Sequence, residues 1–268
     1  MGILSYIPLY FRLVAAGIRA QMQYRFAFMM RIVGMIAAYT GTAVTMWVML
    51  YQFEELGGWN FYELLFLFAV AVVSWGFCII LFFHFRSLDT YIVNGTFDRF
   101  LVRPINPFFH FMAMKFDIGA AGQFIFSIFI FIWVSGELNL QWGLGKLLFL
   151  LSAIIGGVLI QGGLLVMISA IAFWTTKSER FYWVVMYPAR NLTNYPLGIY
   201  PKIIQYITAF VIPFGFVNYF PAAALLEKDI NYFHANIGYL TPVVGIVFFF
   251  LAYHLWMFGL NRYKSTGS

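Results

Sequence analysis

The spacing of charged residues constrains this chain more than any other feature. No charged side chain occurs between Arg31 and Glu54, and five further runs repeat the pattern: Glu63 to His84, Asp117 to Glu137, Lys146 to Lys177, Lys202 to Glu227 and Asp229 to Arg262. A charge at the bilayer centre costs about 3 kcal/mol on insertion scales, so charges serve as fence posts for candidate spans. Each run reaches or nearly reaches the roughly 20 residues that cross about 30 Å of hydrocarbon as a helix. The chain is 63% hydrophobic and only 10% charged, where soluble domains are about a quarter charged, so a soluble globule is excluded. Long apolar blocks without alternation exclude a barrel. The expected fold is an all-α integral membrane protein: one transmembrane domain over residues 1–268 with six spans.

Six crossings put both termini on one side, and the cations name that side. Arg12, Arg19, Arg25 and Arg31 precede the first run. Arg86, Arg99, Arg103 and Lys115 follow the second, Lys177, Arg180, Arg190 and Lys202 the fourth, and Arg262 and Lys264 the last. Only Lys146 and Lys228 fall on the other side, among Glu54, Glu55, Glu63, Glu137, Glu227 and Asp229. The positive-inside rule therefore predicts cytoplasmic termini, and the net charge of +6 reflects orientation with no role for nucleic acid. The first apolar run is longer than a signal-peptide core and starts well inside the chain. Cys78 is the only cysteine, so no intramolecular disulfide forms. The sequons at Asn94 and Asn191 fall in expected cytoplasmic segments and read as chance matches.

Residues 8–25 predict a helix with Pro8 in its first turn and Arg12, Arg19 and Gln23 on one narrow polar stripe. Such a helix lies in the membrane interface, either as a generic basic anchor or as a contact for another protein. The most polar passage in the chain is NGTFDRFLVRPINP, residues 94–107. Asn94-Gly95 supplies a left-handed stop, Thr96 a cap, Asp98 a first-turn acid, and Arg103-Pro104 an end, which predicts a short cytoplasmic helix over 96–103. Phe97, Phe100 and Leu101 then share a face as an apolar knob, beside Arg99 and Arg103 one turn apart. The knob suits an acidic, grooved partner; alternatively it dips into lipid while the arginines hold phosphates.

The segment after the fourth run, residues 175–202, reads as a bent cytoplasmic loop in which Lys177, Glu179 and Arg180 are solvated. The fifth run carries Pro213 and Pro221 with Asn218 between them, and prolines bend a spanning helix. Gln205, Thr208 and Asn218 either line a path or bond to neighbouring helices. Ionisable groups at membrane depth, which ion-coupled transporters need, are missing from the expected spans except for His254, which disfavours an ion-driven pump. No catalytic constellation stands out, the four histidines lack metal-ligand spacing, and no phosphate-binding loop is present. The sequence thus predicts no catalytic, cofactor or metal site.

The core Gly95, Asp98, Leu101, Arg103 and Pro104 after a second span, with IPFGFVNYFPAAALL in the fifth run, resembles the membrane subunits of bacterial type-2 ATP-binding cassette exporters, the six-span permeases. The likeness covers nearly the whole chain. It implies a half-transporter of the bacterial cytoplasmic membrane, in which two permease chains, identical or sister, enclose a path and two separate ATPase subunits carry ATP and Mg. It further implies that the interfacial helix and the short cytoplasmic helix contact the ATPase, and that the second and fifth spans line the path. Gly95, Phe97, Asp98, Arg99, Phe100, Leu101, Arg103 and Pro104 become the expected docking residues; Gln205, Thr208, Pro213, Asn218 and Pro221 become candidates for path or gate. The abundance of aromatics suits amphiphilic or hydrophobic cargo such as drugs, lipid-like molecules or peptides. A membrane anchor or sensor that recruits a cytoplasmic protein through the same helix is the competing reading.

Overall fold

The computed structural model describes residues 25–113, 120–230 and 235–264. The expected interfacial helix, with Arg12, Arg19 and Gln23, lies outside them, as do Lys115 and Asp117. Among the described residues the regular structure is helical, joined by turns and irregular segments, with one isolated bridge between Leu56 and Trp59. Ten segments follow in order. They are α1 (Arg25–Phe53), α2 (Phe61–Val93), α3 (Asp98–Leu101), α4 (Pro107–Met112), α5 (Ala121–Glu137), α6 (Leu144–Thr175), α7 (179–192), α8 (Lys202–Val211), α9 (Phe214–Leu225) and α10 (Asn236–Arg262). Among the described residues α1, α2, α6 and α10 are long and apolar enough to cross a membrane.

Local chemistry sets where these helices begin and end. Asn60 and Glu63 form a reciprocal capping box at the head of α2, with Glu63 N donating to Asn60 Oδ1 (3.0 Å) and Asn60 N to Glu63 Oε2 (2.8 Å). At the far end of α2 the chain leaves through Gly95 at φ +65°, the left-handed stop that the sequence predicts. Asn106 caps α4 by accepting from Phe108 N, with Pro107 at the first helical position.

Helices α2 and α6 form the centre of the bundle, buried over 78% and 72% of their most apolar windows, against 6% for α1. Helix α10 packs closely along α6 because Gly156 and Gly245 face one another. A Cβ on Gly245 would stand 2.6 Å from the Gly156 carbonyl oxygen, so any larger residue would push the two helices apart.

The bundle has a basic end and an acidic end. At the acidic end Lys146 pairs with Glu227 at 2.9 Å, and Lys228 pairs with Glu63 while donating to Gly58 O. Hydrogen bonding to Lys146 holds the Glu227 carboxyl below its usual range. At the basic end Arg86 pairs with Glu179 at 2.8 Å, so Glu179 is engaged rather than merely solvated.

Two expectations for the later chain need correction. The fifth run is broken more sharply than the bent span its prolines predict: α8 and α9 meet at an 80° bend, with Ile212 extended and Pro213 at the break. Glu227 and Lys228 lie at the acidic end by the pairs above. So does the approach to α8, because a Cβ on Gly57 would meet Ile199 at 2.9 Å. The arm therefore enters and leaves on the same side. The physical reason is Pro213, which cannot donate and bends the rod, in a run of span-like length and hydropathy.

The second correction concerns the expected loop at 175–202. Helix α7 starts at the basic end, where Asp89 Oδ2 accepts from Ser178 N (3.2 Å) and Glu179 N (3.1 Å). It finishes towards the acidic end, where Thr193 O and Leu67 O share the Asn218 amide. Helix α7 thus runs along the bundle, antiparallel to α2, and carries Arg190 into its interior. Residues 182–186 form a π-helical turn, a common adjustment at functional positions.

Candidate functional site: a platform at the basic end

The platform is built from α3, α4 and the turn at Gly95, seated against the ends of α2, α6 and α10. Helix α3 is one turn long and not the full 96–103 of the sequence reading. Phe97 stands at its head without a side-chain cap, because the Thr96 hydroxyl donates instead to Tyr91 O.

Its apolar face points inward, which corrects the expected knob. Phe97 is fully buried and Phe100 is 2% exposed, whereas Leu101 is 41% and Val102 82% exposed. The Phe97 ring lies 5.6 Å from Phe173 on α6, 6.3 Å from Trp256 on α10, 6.3 Å from Phe111 on α4 and 5.4 Å from Tyr263. Phe97 and Phe100 therefore pack into the chain's own core and anchor the platform instead of projecting from it. The spacing i, i+3 placed them on one face correctly, but a shared face does not say whether it points to the partner or to the chain's own core.

Asp98 fixes the same turn from the side, its Oδ1 accepting from the Tyr263 hydroxyl at 2.9 Å. Asn106 Nδ2 donates to the Tyr253 hydroxyl at 3.0 Å, a second tie to α10. The outward surface is cationic and apolar: Arg99, Leu101, Val102, Arg103 and Pro104 are exposed. Arg99, Arg103 and His110 line a small cavity of about 150 Å³ over the Phe100 ring. Arg103 Nη1 stands 3.2 Å from His110 Nε2. Partial burial, with Arg103 and Arg99 nearby, pushes the His110 pKa below the ordinary imidazole value, which keeps that ring a neutral acceptor beside the guanidinium.

The proposed path residues do not meet at this site. Gln205, Thr208 and Asn218 are buried with their polar atoms spent on backbone: Gln205 Nε2 on Tyr200 O, Thr208 on Ile204 O, and Asn218 on Leu67 O and Thr193 O. Pro213 marks the break, and Pro221 lies buried in the first turns of α9. The structure brings these five to the re-entrant arm, where the polar three hold it together. Sequence reasoning missed Asp89, His110 and Tyr263. The usable signal for Asp89 was an acid in the last turns of α2, where the helix dipole disfavours it unless another amide needs it.

The arrangement defines a helical membrane protein with a cationic platform, seated on buried aromatic rings, at one end and a proline-broken arm at the other. The chain matches the family described as ABC-2 family transporter protein over residues 36–267 and belongs to it; it is the membrane, or permease, subunit of an ABC-2 type transporter. A subunit of this kind implies ABC ATPase partners and a second permease chain. Comparison with curated proteins and with solved structures gives no match.

Proposed function

We propose that this chain is one half of the membrane domain of a bacterial exporter, working with a second permease chain, identical or sister, and two separate ATPase subunits that bind Mg and ATP. In this reading the basic end faces the cytoplasm and both termini lie there. The six crossings are α1, α2, α5, α6, α7 and α10, with α8 and α9 re-entering from the outside. The positive-inside asymmetry supports it, since Arg86, Arg99, Arg103, Lys177, Arg180 and Arg262 all belong to the basic end.

The observation that carries the reading is the platform itself, a helix turn presenting Arg99, Leu101, Val102 and Arg103 outward while Phe97 locks it to α6 and α10. When the ATPase dimer closes, the turn moves with it, and the aromatic seating passes that motion to the bundle. The cargo is amphiphilic or hydrophobic, and Gly95 and Pro104 set the turn without touching it. The test is purification from native membranes. A permease should bring an ABC ATPase with vanadate-sensitive hydrolysis, and Leu101→Asp with Val102→Asp should release that ATPase while the chain's melting temperature stays unchanged. Retention of the ATPase by this double variant would refute docking at the platform.

A further inference from the structure

Arg190 is a cation set among aromatic side chains of the bundle, with no carboxylate beside it among the described residues. It lies on α7 at the level of Trp75 and Tyr39, and Tyr39 stands at the midpoint of α1. Its Nη2 donates to the Tyr39 hydroxyl at 3.0 Å, and its guanidinium carbon stacks 4.7 Å above the Trp75 ring. The Tyr39 hydroxyl donates in turn to Gln123 Oε1 at 3.0 Å. Tyr39 and Trp75 thus orient the group, but neither carries a negative charge.

Among the described residues no carboxylate pairs with Arg190: the ion pairs at the two ends of the bundle use Glu179, Glu227 and Glu63. Nearby, Gln123 Nε2 is buried with no hydrogen-bond partner. A guanidinium has five N–H donors and does not lose its proton in a protein, so this one cannot become neutral to suit an apolar layer. A charge held level with the midpoint of a spanning helix is costly in lipid and calls for a counter-group. Arg190 is only partly buried, so that counter-group can reach it from outside the chain.

An apolar groove lies one ring away. Phe126 stacks on Tyr39 at 5.8 Å and also walls a cavity of about 700 Å³ between α1, α2 and α5, lined by Trp47, Phe129 and Trp133 among others. That volume falls in the range of small-molecule sites. We infer that Arg190, aimed by Tyr39 and Trp75, binds the anionic head of an amphiphile, a phosphate, sulfate or carboxylate, whose apolar tail lies in this groove. The inference rests on the exporter reading for its meaning as a substrate or lipid site, but not for its test.

The test measures binding to the chain alone in nanodiscs, without any ATPase, so that failure of binding and failure of the exporter reading are told apart. In discs of zwitterionic lipid only, dodecyl phosphate should raise the melting temperature and bind saturably, while dodecyl maltoside should not compete. Arg190→Gln should weaken dodecyl phosphate at least tenfold, Arg190→Lys less, and Tyr39→Phe severalfold through loss of aim. Tyr39→Phe keeps the charge, so it decides the matter if Arg190→Gln fails to fold. Saturable binding of added dodecyl phosphate identifies a mobile amphiphile as the ligand. Anionic phospholipid that co-purifies with the native chain and is lost from Arg190→Lys or Tyr39→Phe identifies a resident headgroup; either result supports the anion site. Equal affinity in native chain, Arg190→Lys and Tyr39→Phe, or no binding of either anion, overturns it.

Discussion

The inward turn of the platform can be tested at Phe97. Its side chain is fully buried among Phe100, Phe111, Phe173, Trp256 and Tyr263, with ring centroids 5.4 to 6.3 Å away. Removing a buried Phe to Ala costs about 3–5 kcal/mol, because five neighbours lose contact and the rings cannot collapse onto the gap without leaving their own seats. For a chain of this size that corresponds to a drop of roughly 10 °C in Tm, at about 2–4 °C per kcal/mol. Phe97→Leu keeps most of the volume and should cost under about 1.5 kcal/mol. Leu101→Ala, exposed, should change stability by no more than about 0.5 kcal/mol. The assay is thermal unfolding of the purified chain in detergent, followed by size-exclusion fluorescence, alongside ATPase retention. If Phe97→Ala melted with the native chain yet lost the ATPase, Phe97 would be a docking side chain and the anchoring argument would fail.

Three further outcomes follow from local geometry. Gly95→Val should destabilise the turn by about 1–2 kcal/mol, read in the same melt, because a β-branched residue is strained at φ +65°. Asn218→Leu should cost about 2 kcal/mol and loosen the re-entrant arm, since one amide serves Leu67 O and Thr193 O; proteolysis between α8 and α9 should rise. For His110 the folded pKa is lowered, so as pH falls below about 6.5 the unfolded chain takes up the proton first and the platform loses stability, levelling off below the folded value. His110→Gln should remove that part of the pH dependence of Tm, and an unchanged slope would show that His110 does not carry it.

The sequence made much of the bundle readable for physical reasons. Long uncharged runs demand apolar surroundings wherever they lie, and Asn94-Gly95 permits little but a left-handed stop, so α1, α2, α6, α10 and the platform's first turn were all legible. The re-entrant arm was not, because α8 plus α9 has the length and hydropathy of a span, and only the 80° break at Pro213 separates the two cases. Helix α7 was hidden because Glu179, Arg180 and Arg190 interrupt its apolar residues, so no long uncharged run marks it. The knob failed for a different reason, since Phe97, Phe100 and Leu101 differ in exposure through contacts made with Phe173 and Trp256, far away in sequence.

The carboxylate of Asp89, closing the first amides of α7, has a consequence for how that helix is seated. Helix α7 carries a guanidinium in its last turn and borrows the acceptor for its leading amides from another helix. Its first turn is therefore complete only when residues 61–93 stand beside it, which makes the seating of this segment depend on one aspartate.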